Sequence, residues 1–274
     1  MTTALHTTAP SGHIPAIDGL RGLAVLLVVI AHTILMKPTC WLDEQVASLL
    51  GVGWCGVDLF FVLSGFLITG ILYDAKGGRN YFTSFYIRRS LRIFPVYYLA
   101  LVLLLVVLPR IGIPQADAYR SIAEHQSWFW FHFSNFHFAQ MGFTGDATDV
   151  FWSLAIEEQF YLLWPLVIWF GRRRPLMITC VCLIIAAFAA RIGMTLAGAK
   201  PVAIYVLPFT RMDGLAAGGL IALMARGPVG IKPWLLIARY SMWISLIGLA
   251  LMALLSGGLP IWARNTQIFG ISLF

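Results

Sequence analysis

Arg21 and His32 stand eleven residues apart in an apolar run, GLRGLAVLLVVIAHTILM, long enough at ~1.5 Å per residue to enter a bilayer. A helix turns ~100° per residue, so eleven positions bring the two side chains to within ~20° of one direction, ~16 Å apart along the axis. Asp18, one turn earlier, shares the stripe. A charge at the centre of a membrane helix costs ~2.5–3.5 kcal/mol on insertion scales, so this stripe is expected to face a protein interior or a wet cavity. There a guanidinium can hold an anion and an imidazole can move a proton near neutral pH.

Four further constellations interrupt apolar segments. GVDLFFVLSGF sets Asp58 among aromatics and ends in Ser64-Gly65; the small pair lets backbones approach, and Asp58 needs a cationic or hydrogen-bonding partner that Arg21 or His32 can supply. Arg88, Arg89 and Arg92 fall within five residues at an expected helix start. They suit phosphate oxygens, and equally a topogenic cluster facing anionic lipid. Glu157 and Glu158 are neighbours and point ~100° apart on a helix, so they require two polar partners or an aqueous pocket. Arg211 and Asp213 lie in a glycine-containing apolar segment, as bundle-stabilising or functional charges. His125, His132 and His137 lack metal-ligand spacing, and no metal site is expected. Cys180 and Cys182 read as packing residues. Cys40 and Cys55 bracket a loop expected outside the cytoplasm, where a disulfide is chemically permitted.

Composition sets the frame for these residues. Of 274 residues, 59% are hydrophobic and 11% charged, with mean hydropathy +0.82, whereas a soluble domain carries ~25% charged residues. The chain reads as a multi-span membrane protein. Its net charge of +7 does not point to nucleic acid, because Lys and Arg cluster in short loops between apolar segments. Spans are expected at 17–35, 52–73, 91–108, 152–170, 176–196, 202–224 and 234–255; the aromatic segment 121–139 suits either a crossing or an interfacial element. If it does not cross, ten loop Lys and Arg share one side against four; if it does, the split is six against eight. The positive-inside rule favours the first arrangement, with the N-terminus and the Arg88/Arg89/Arg92 loop cytoplasmic. The expected fold is all-α, a polytopic membrane bundle of about seven to eight spans. Residues 1–16 form a polar tail and 17–274 a single integral-membrane domain. The last apolar piece, 261–274, is short of a crossing, so the chain is expected to be truncated at its C-terminus.

Read together, Asp18-Gly-Leu-Arg21 with His32, GVDLFFVLSGF, FYIRRSLRIFPVYY, WSLAIEEQFYLLWP and RMDGLAAG resemble membrane acyltransferase family 3. That family includes O-antigen and exopolysaccharide O-acetyltransferases and antibiotic-sugar acyltransferases. The resemblance implies a bundle of about ten membrane helices and transfer of an acyl group, most often acetyl, from acyl-CoA to a hydroxyl of a carbohydrate or glycosylated acceptor. It implies that Arg88, Arg89 and Arg92 hold the CoA phosphates and that Arg21 lies along the thioester arm. His32 is then a general base or the carrier of a covalent acyl group, and Asp58, Glu157 or Glu158 orients it or binds the acceptor. Asp18, Ser64, Arg211 and Asp213 are substrate-binding or structural polar groups. The resemblance implies acyl-CoA as the donor; no metal is expected, and the expected partners are the acceptor and membrane lipid, not nucleic acid. The competing class is a transporter or carrier of a glycan or lipid-linked substrate, which also uses intramembrane charges. The arginine cluster combined with the Arg21 to His32 spacing favours the CoA-fed enzyme.

Overall fold

Backbone polar groups in an apolar medium must be satisfied within their own segment, and long apolar runs therefore become helices. The computed structural model describes residues 15–33, 52–110, 122–145, 147–256 and 258–273, and no strand occurs among the described residues. Helix α1 covers Pro15–Thr33. A 3₁₀ turn at Val52–Trp54 leads into α2, Cys55–Asp74, and α3 spans Tyr81–Leu101 before a π-helical turn at Val102–Val107. Two short helices follow, α4 at Ser127–Trp130 and α5 at Ser134–Met141. Then come α6 (Phe151–Phe170), α7 (Arg173–Leu196), α8 (Pro201–Val206), α9 (Pro208–Ala225), α10 (Leu235–Ser256) and a last turn, α11 (Ile271–Leu273). Pro201 and Pro208 open α8 and α9 at the position where a missing N–H costs nothing.

The chain is a multi-pass membrane protein. Among the described residues, Val52–Asp74, Tyr81–Val107, Arg173–Leu196, Pro201–Ala225 and Lys232–Leu255 are long and apolar enough to cross a membrane. That is five stretches rather than the seven to eight expected. Helices α1 and α6, 19 and 20 residues long, are diluted by Asp18 and Arg21, and by Glu157, Glu158 and Gln159. Segment 121–139 is not one crossing helix. Its described part forms α4 and α5, of four and eight residues, so even α5 reaches only ~12 Å of a ~30 Å hydrocarbon core. Tyr97 and Tyr98 of α3 donate their hydroxyls to the Phe129 and Trp130 carbonyls, at 2.6 and 3.4 Å, and pin α4 in place.

Helix α2 is the centre of the bundle, packed on α1, α6 and α9, and α9 in turn packs on α7. The α2–α9 contact is backbone against backbone. A Cβ on Gly65 would lie 2.0 Å from the Leu215 carbonyl oxygen, and one on Gly218 would lie 1.9 Å from that of Val62. Small residues on both helices therefore set their separation. Helix α1 runs antiparallel to α2, since Gly56 lies against the Ala24 carbonyl and Gly53 against that of Leu27. At the other extreme, α10 exposes Leu236, Ile237, Ile244, Leu254 and Leu255, an apolar surface suited to lipid. Replacing Gly218 with Val or Leu should force α2 and α9 apart, with overpacking costs of at least ~1–3 kcal/mol. The expected readout is a lowered thermal midpoint and loss of monodisperse protein in detergent, with Gly193→Ala, where a Cβ meets nothing within 4 Å, as the neutral control.

Candidate active site

The N-terminal end of the central helix α2 holds a buried charge pair. Asp58 Oδ1 meets Arg211 Nη2 of α9 at 2.6 Å, with both residues buried. The guanidinium is boxed by the rings of Phe61, Trp152 and Tyr205, its carbon 5.6, 5.7 and 4.9 Å from their centroids. Two residues further along α9, Asp213 pairs with Arg191 of α7 at 2.6 Å. Arg191 also donates to the Thr210 carbonyl and to Ser272 Oγ. Sequence reasoning offered Arg21 or His32 as the partner of Asp58, and the partner is Arg211. The antiparallel register explains this: it carries Arg21 past Asp58 to a point 6.0 Å over the Phe60 ring, while Asp58 faces α9. Arg191 went unnoticed, although it is a lone charge deep within the apolar run of α7.

One and a half turns further along α2, Ser64 Oγ donates to Glu157 Oε1 of α6 at 2.6 Å. Arg89 of α3 approaches the other carboxylate oxygen at 3.8 Å, and its guanidinium carbon sits over Tyr161, 3.9 Å from the ring centroid. Arg21 is close enough to act electrostatically on both Glu157 and Arg92. Four helices, α1, α2, α3 and α6, thus bring Arg21, Ser64, Arg89, Arg92 and Glu157 into one neighbourhood. Glu158 keeps a buried Oε1 without a hydrogen-bond partner among the described residues, as does Arg89 at Nε. Unsatisfied buried groups of this kind mark a place for water or a ligand.

Beside this cluster opens a cavity of about 760 Å³ at the far end of α2, lined by Asp74, Asn80, Ser84, Arg88, Arg89 and Arg92 among others. The three arginines do not stand at a helix start. Helix α3 begins at Tyr81, because its first turns carry an aromatic face that packs on α6. Tyr81 and Tyr86 donate to the Pro165 and Leu162 carbonyls at 3.0 and 2.9 Å. The guanidiniums are thereby set two to three turns into a rigid helix, and Arg88 Nε is held by the Ser84 carbonyl at 3.0 Å. Asp74 is engaged in a bidentate pair with Arg226, both contacts 2.6 Å.

The far face of α6 is polar as well. Gln159 donates to the His132 carbonyl at 2.9 Å and to Asn135 Oδ1 at 3.0 Å. His132 adopts φ 57°, a left-handed conformation uncommon for residues other than glycine. Its ring stacks on Tyr97, with centroids 4.3 Å apart. Burial pushes the His132 imidazole down to about 4, and burial with the nearby His125 lowers His137.

The remaining expected residues fall as follows. His32 lies in the last turn of α1 and follows Ala31, whose nitrogen is 3.4 Å from the Cβ position of Gly53; its side chain lies outside the described residues. Asp18 sits in the first turn of α1. Cys55 is a free thiol, and Cys40 lies outside the described residues. Cys180 is buried and Cys182 exposed, as two positions on different faces require. Among the described residues no three His, Cys, Asp or Glu side chains form a metal-binding group.

This chain belongs to membrane acyltransferase family 3, whose model, described as an acyltransferase domain, matches residues 14–274. It is 32% identical over 231 residues to YrhL of Bacillus subtilis, a candidate peptidoglycan O-acetyltransferase, covering 80% of this chain and 34% of that protein. It is 37% identical over 164 residues to the peptidoglycan O-acetyltransferase OatA of Listeria monocytogenes, covering 56% of this chain and 24% of the relative. The O-acetyltransferase OatA of Staphylococcus aureus is 37% identical over 165 residues, 58% of this chain and 25% of its own length. The chain therefore spans a quarter to a third of these relatives. No solved structure matches it.

Two outcomes follow from this geometry. Asp58→Ala leaves the Arg211 guanidinium buried and unpaired, which costs ~3–5 kcal/mol; a large fall in thermal midpoint is expected, with much of it recovered in the double variant Asp58→Leu, Arg211→Met. For His132, the unfolded chain binds a proton below its ordinary pKa of ~6.5 that the folded protein refuses until about 4. Its contribution is therefore neutral above ~6.5, destabilises progressively as pH falls to about 4, and is constant below that. His132→Phe should flatten the decline in thermal midpoint between pH 6.5 and 4.

Proposed function

We propose that this chain is the membrane part of an O-acyltransferase that takes an acyl group, acetyl by default, from acyl-CoA and passes it to a hydroxyl of a carbohydrate or glycosylated acceptor. The observation that carries the proposal is the arginine-lined cavity of about 760 Å³ leading to the cluster of Arg89, Glu157 and Ser64. Guanidiniums fixed on one helix suit the phosphates of a CoA donor, since charge-assisted contacts to phosphate are short and geometrically selective. In this reading Arg88, Arg89 and Arg92 hold the phosphates on the cytoplasmic side, together with the N-terminus. Arg21, near Glu157 and Arg92, lines the path of the thioester arm. Family membership and relatives named as O-acetyltransferases support the same chemistry.

His32 removes the proton from the acceptor hydroxyl as its oxygen attacks the thioester carbonyl. The C–O bond forms, the C–S bond breaks, and the proton passes to the departing CoA thiolate. Asp58 and Glu157 are held by Arg211 and by Ser64 with Arg89, so they shape the channel. Glu158, with one oxygen unpartnered among the described residues, is the carboxylate available to contact the acceptor.

The test is CoA release from acetyl-CoA by the detergent-purified protein with a panel of hydroxylated acceptors. His32→Ala should lower transfer at least ~100-fold, as expected for loss of a general base. Arg88→Ala should raise the KM for acetyl-CoA ~10-fold, the worth of one charged hydrogen bond, and leave the acceptor KM unchanged. Near-normal transfer by correctly inserted His32→Ala would refute its assignment, and absence of both donor binding and turnover in the folded wild type would refute the function.

A further inference from the structure

The opposite end of α2 carries a second cavity, of different chemistry. It encloses about 230 Å³, and it is lined by Gly53 and Trp54 of the 3₁₀ turn and by Val57 in the first turn of α2. The arginine cavity is lined from Ile68 to Asp74 of the same element. Val57 and Ile68 are eleven residues apart, so the two spaces are separated by ~16 Å along the helix axis. Between them stand the Asp58–Arg211 pair and the Ser64–Glu157 bond. Ala31 also lines the second cavity, so it reaches the last turn of α1, where His32 follows in the chain.

Aromatic planes form its walls: Trp54, Trp152, Tyr205, Trp262 and Phe143. Trp152 and Tyr205 lie 4.7 Å apart and inclined at 50°, and Trp262 meets Tyr205 at 5.8 Å and 76°. These rings make a corner rather than a flat stack. Trp54, Trp152 and Tyr205 are buried and form the floor, and Trp262, 46% exposed, stands at the mouth. Asp149 supplies a carboxylate to the lining. It is oriented by the Thr144 and Gly145 amides, at 3.0 and 2.7 Å, and by the Thr144 hydroxyl at 3.0 Å. Among the described residues, no Lys or Arg contributes to the lining.

We infer that this cavity is a subsite for one sugar ring of the acceptor. A pyranose has apolar C–H faces and a rim of hydroxyls, which match angled aromatic faces with a carboxylate at the edge. The volume lies below the ~300–1,000 Å³ of pockets for drug-sized ligands, which fits one ring and not an extended chain. With a carboxylate in the lining and no Lys or Arg there among the described residues, this space suits a neutral ligand, and a phosphorylated one is better matched by the arginine cavity. That the sugar is the acyl acceptor rests on the function proposed above.

The experiment is a titration of intrinsic tryptophan fluorescence in the purified full chain with glucose, N-acetylglucosamine and the N-acetylglucosamine disaccharide. It is repeated for Trp262→Ala, Trp262→Tyr and Phe143→Ala, each checked for an unchanged thermal midpoint. A saturable response is expected with at least one sugar, weakened tenfold or more in Trp262→Ala and Phe143→Ala and largely kept in Trp262→Tyr. In the acetyl-transfer assay the same two alanine variants should raise the acceptor KM by a similar factor and leave the acetyl-CoA KM unaltered. No saturable response to any sugar, or unchanged affinity in both alanine variants, overturns the subsite. Sugar binding that depends on Trp262 without any acyl transfer would overturn the acyltransferase reading and leave the subsite standing. Transfer whose acceptor KM ignores both substitutions would do the reverse.

Discussion

A charge held away from water must be neutralised by another part of the same bundle, and the core of this protein is organised around that requirement. Desolvating an ion costs several kcal/mol even after relaxation, and only a well-placed counter-charge offsets it. Asp58 with Arg211 joins α2 to α9, and Asp213 with Arg191 joins α9 to α7. Both acidic and both basic partners are buried, so neither pair can be broken without leaving a naked charge inside. The Asp58–Arg211 pair sits on the two helices that approach to backbone contact at Gly65 and Gly218. Close glycine packing and buried ion pairing are therefore one structural device.

With α2 fixed in this way, its length becomes the axis of the chemistry. One end borders an aromatic cavity and the other a basic one, and hydroxyl and carboxylate groups occupy the interval. An acyltransferase fed by a charged donor and a neutral, hydroxylated acceptor benefits from such a division, because each substrate is recognised by groups that reject the other. Helix α6 serves the same separation. Its Glu157 turns toward α2 and α3, and its Gln159 anchors the α4–α5 segment on another face.

Much of this was legible from residue types. Apolar runs broken by lone charges predict helices and an interior polar path; Asp58 and Glu157 stand out as carboxylates that need partners, and Arg211 and Asp213 as charges that stabilise the bundle or serve function. What the chain order conceals is who the partner is. Asp58 and Arg211 are 153 positions apart, and nothing local distinguishes Arg211 from Arg21 or His32 as its mate. Arg191 escaped because a single arginine in a long apolar helix resembles a snorkelling end residue until its burial is known. Helix α3 starts earlier than the apolar run suggests because Tyr81, Phe82, Phe85 and Tyr86 form an aromatic helical face, with Tyr81 and Phe82 packed on Trp169. The division of segment 121–139 into α4 and α5 depends on His132 adopting a left-handed backbone, which no residue spacing announces.

The Asp74–Arg226 pair has a meaning beyond tying α2 to the end of α9. Asp74 is the one carboxylate among the described residues lining the basic cavity, and a bidentate guanidinium from outside that cavity already occupies it. The field of Arg88, Arg89 and Arg92 is thus not cancelled from within. An anion approaching from bulk water meets a positive mouth whose reach is set by the surrounding electrolyte, about 8 Å at physiological ionic strength. In the proposed enzyme, capture of a polyanionic donor would then be a question of encounter rate and of salt, set in part by the half-exposed ion pair at the rim, away from the reacting atoms.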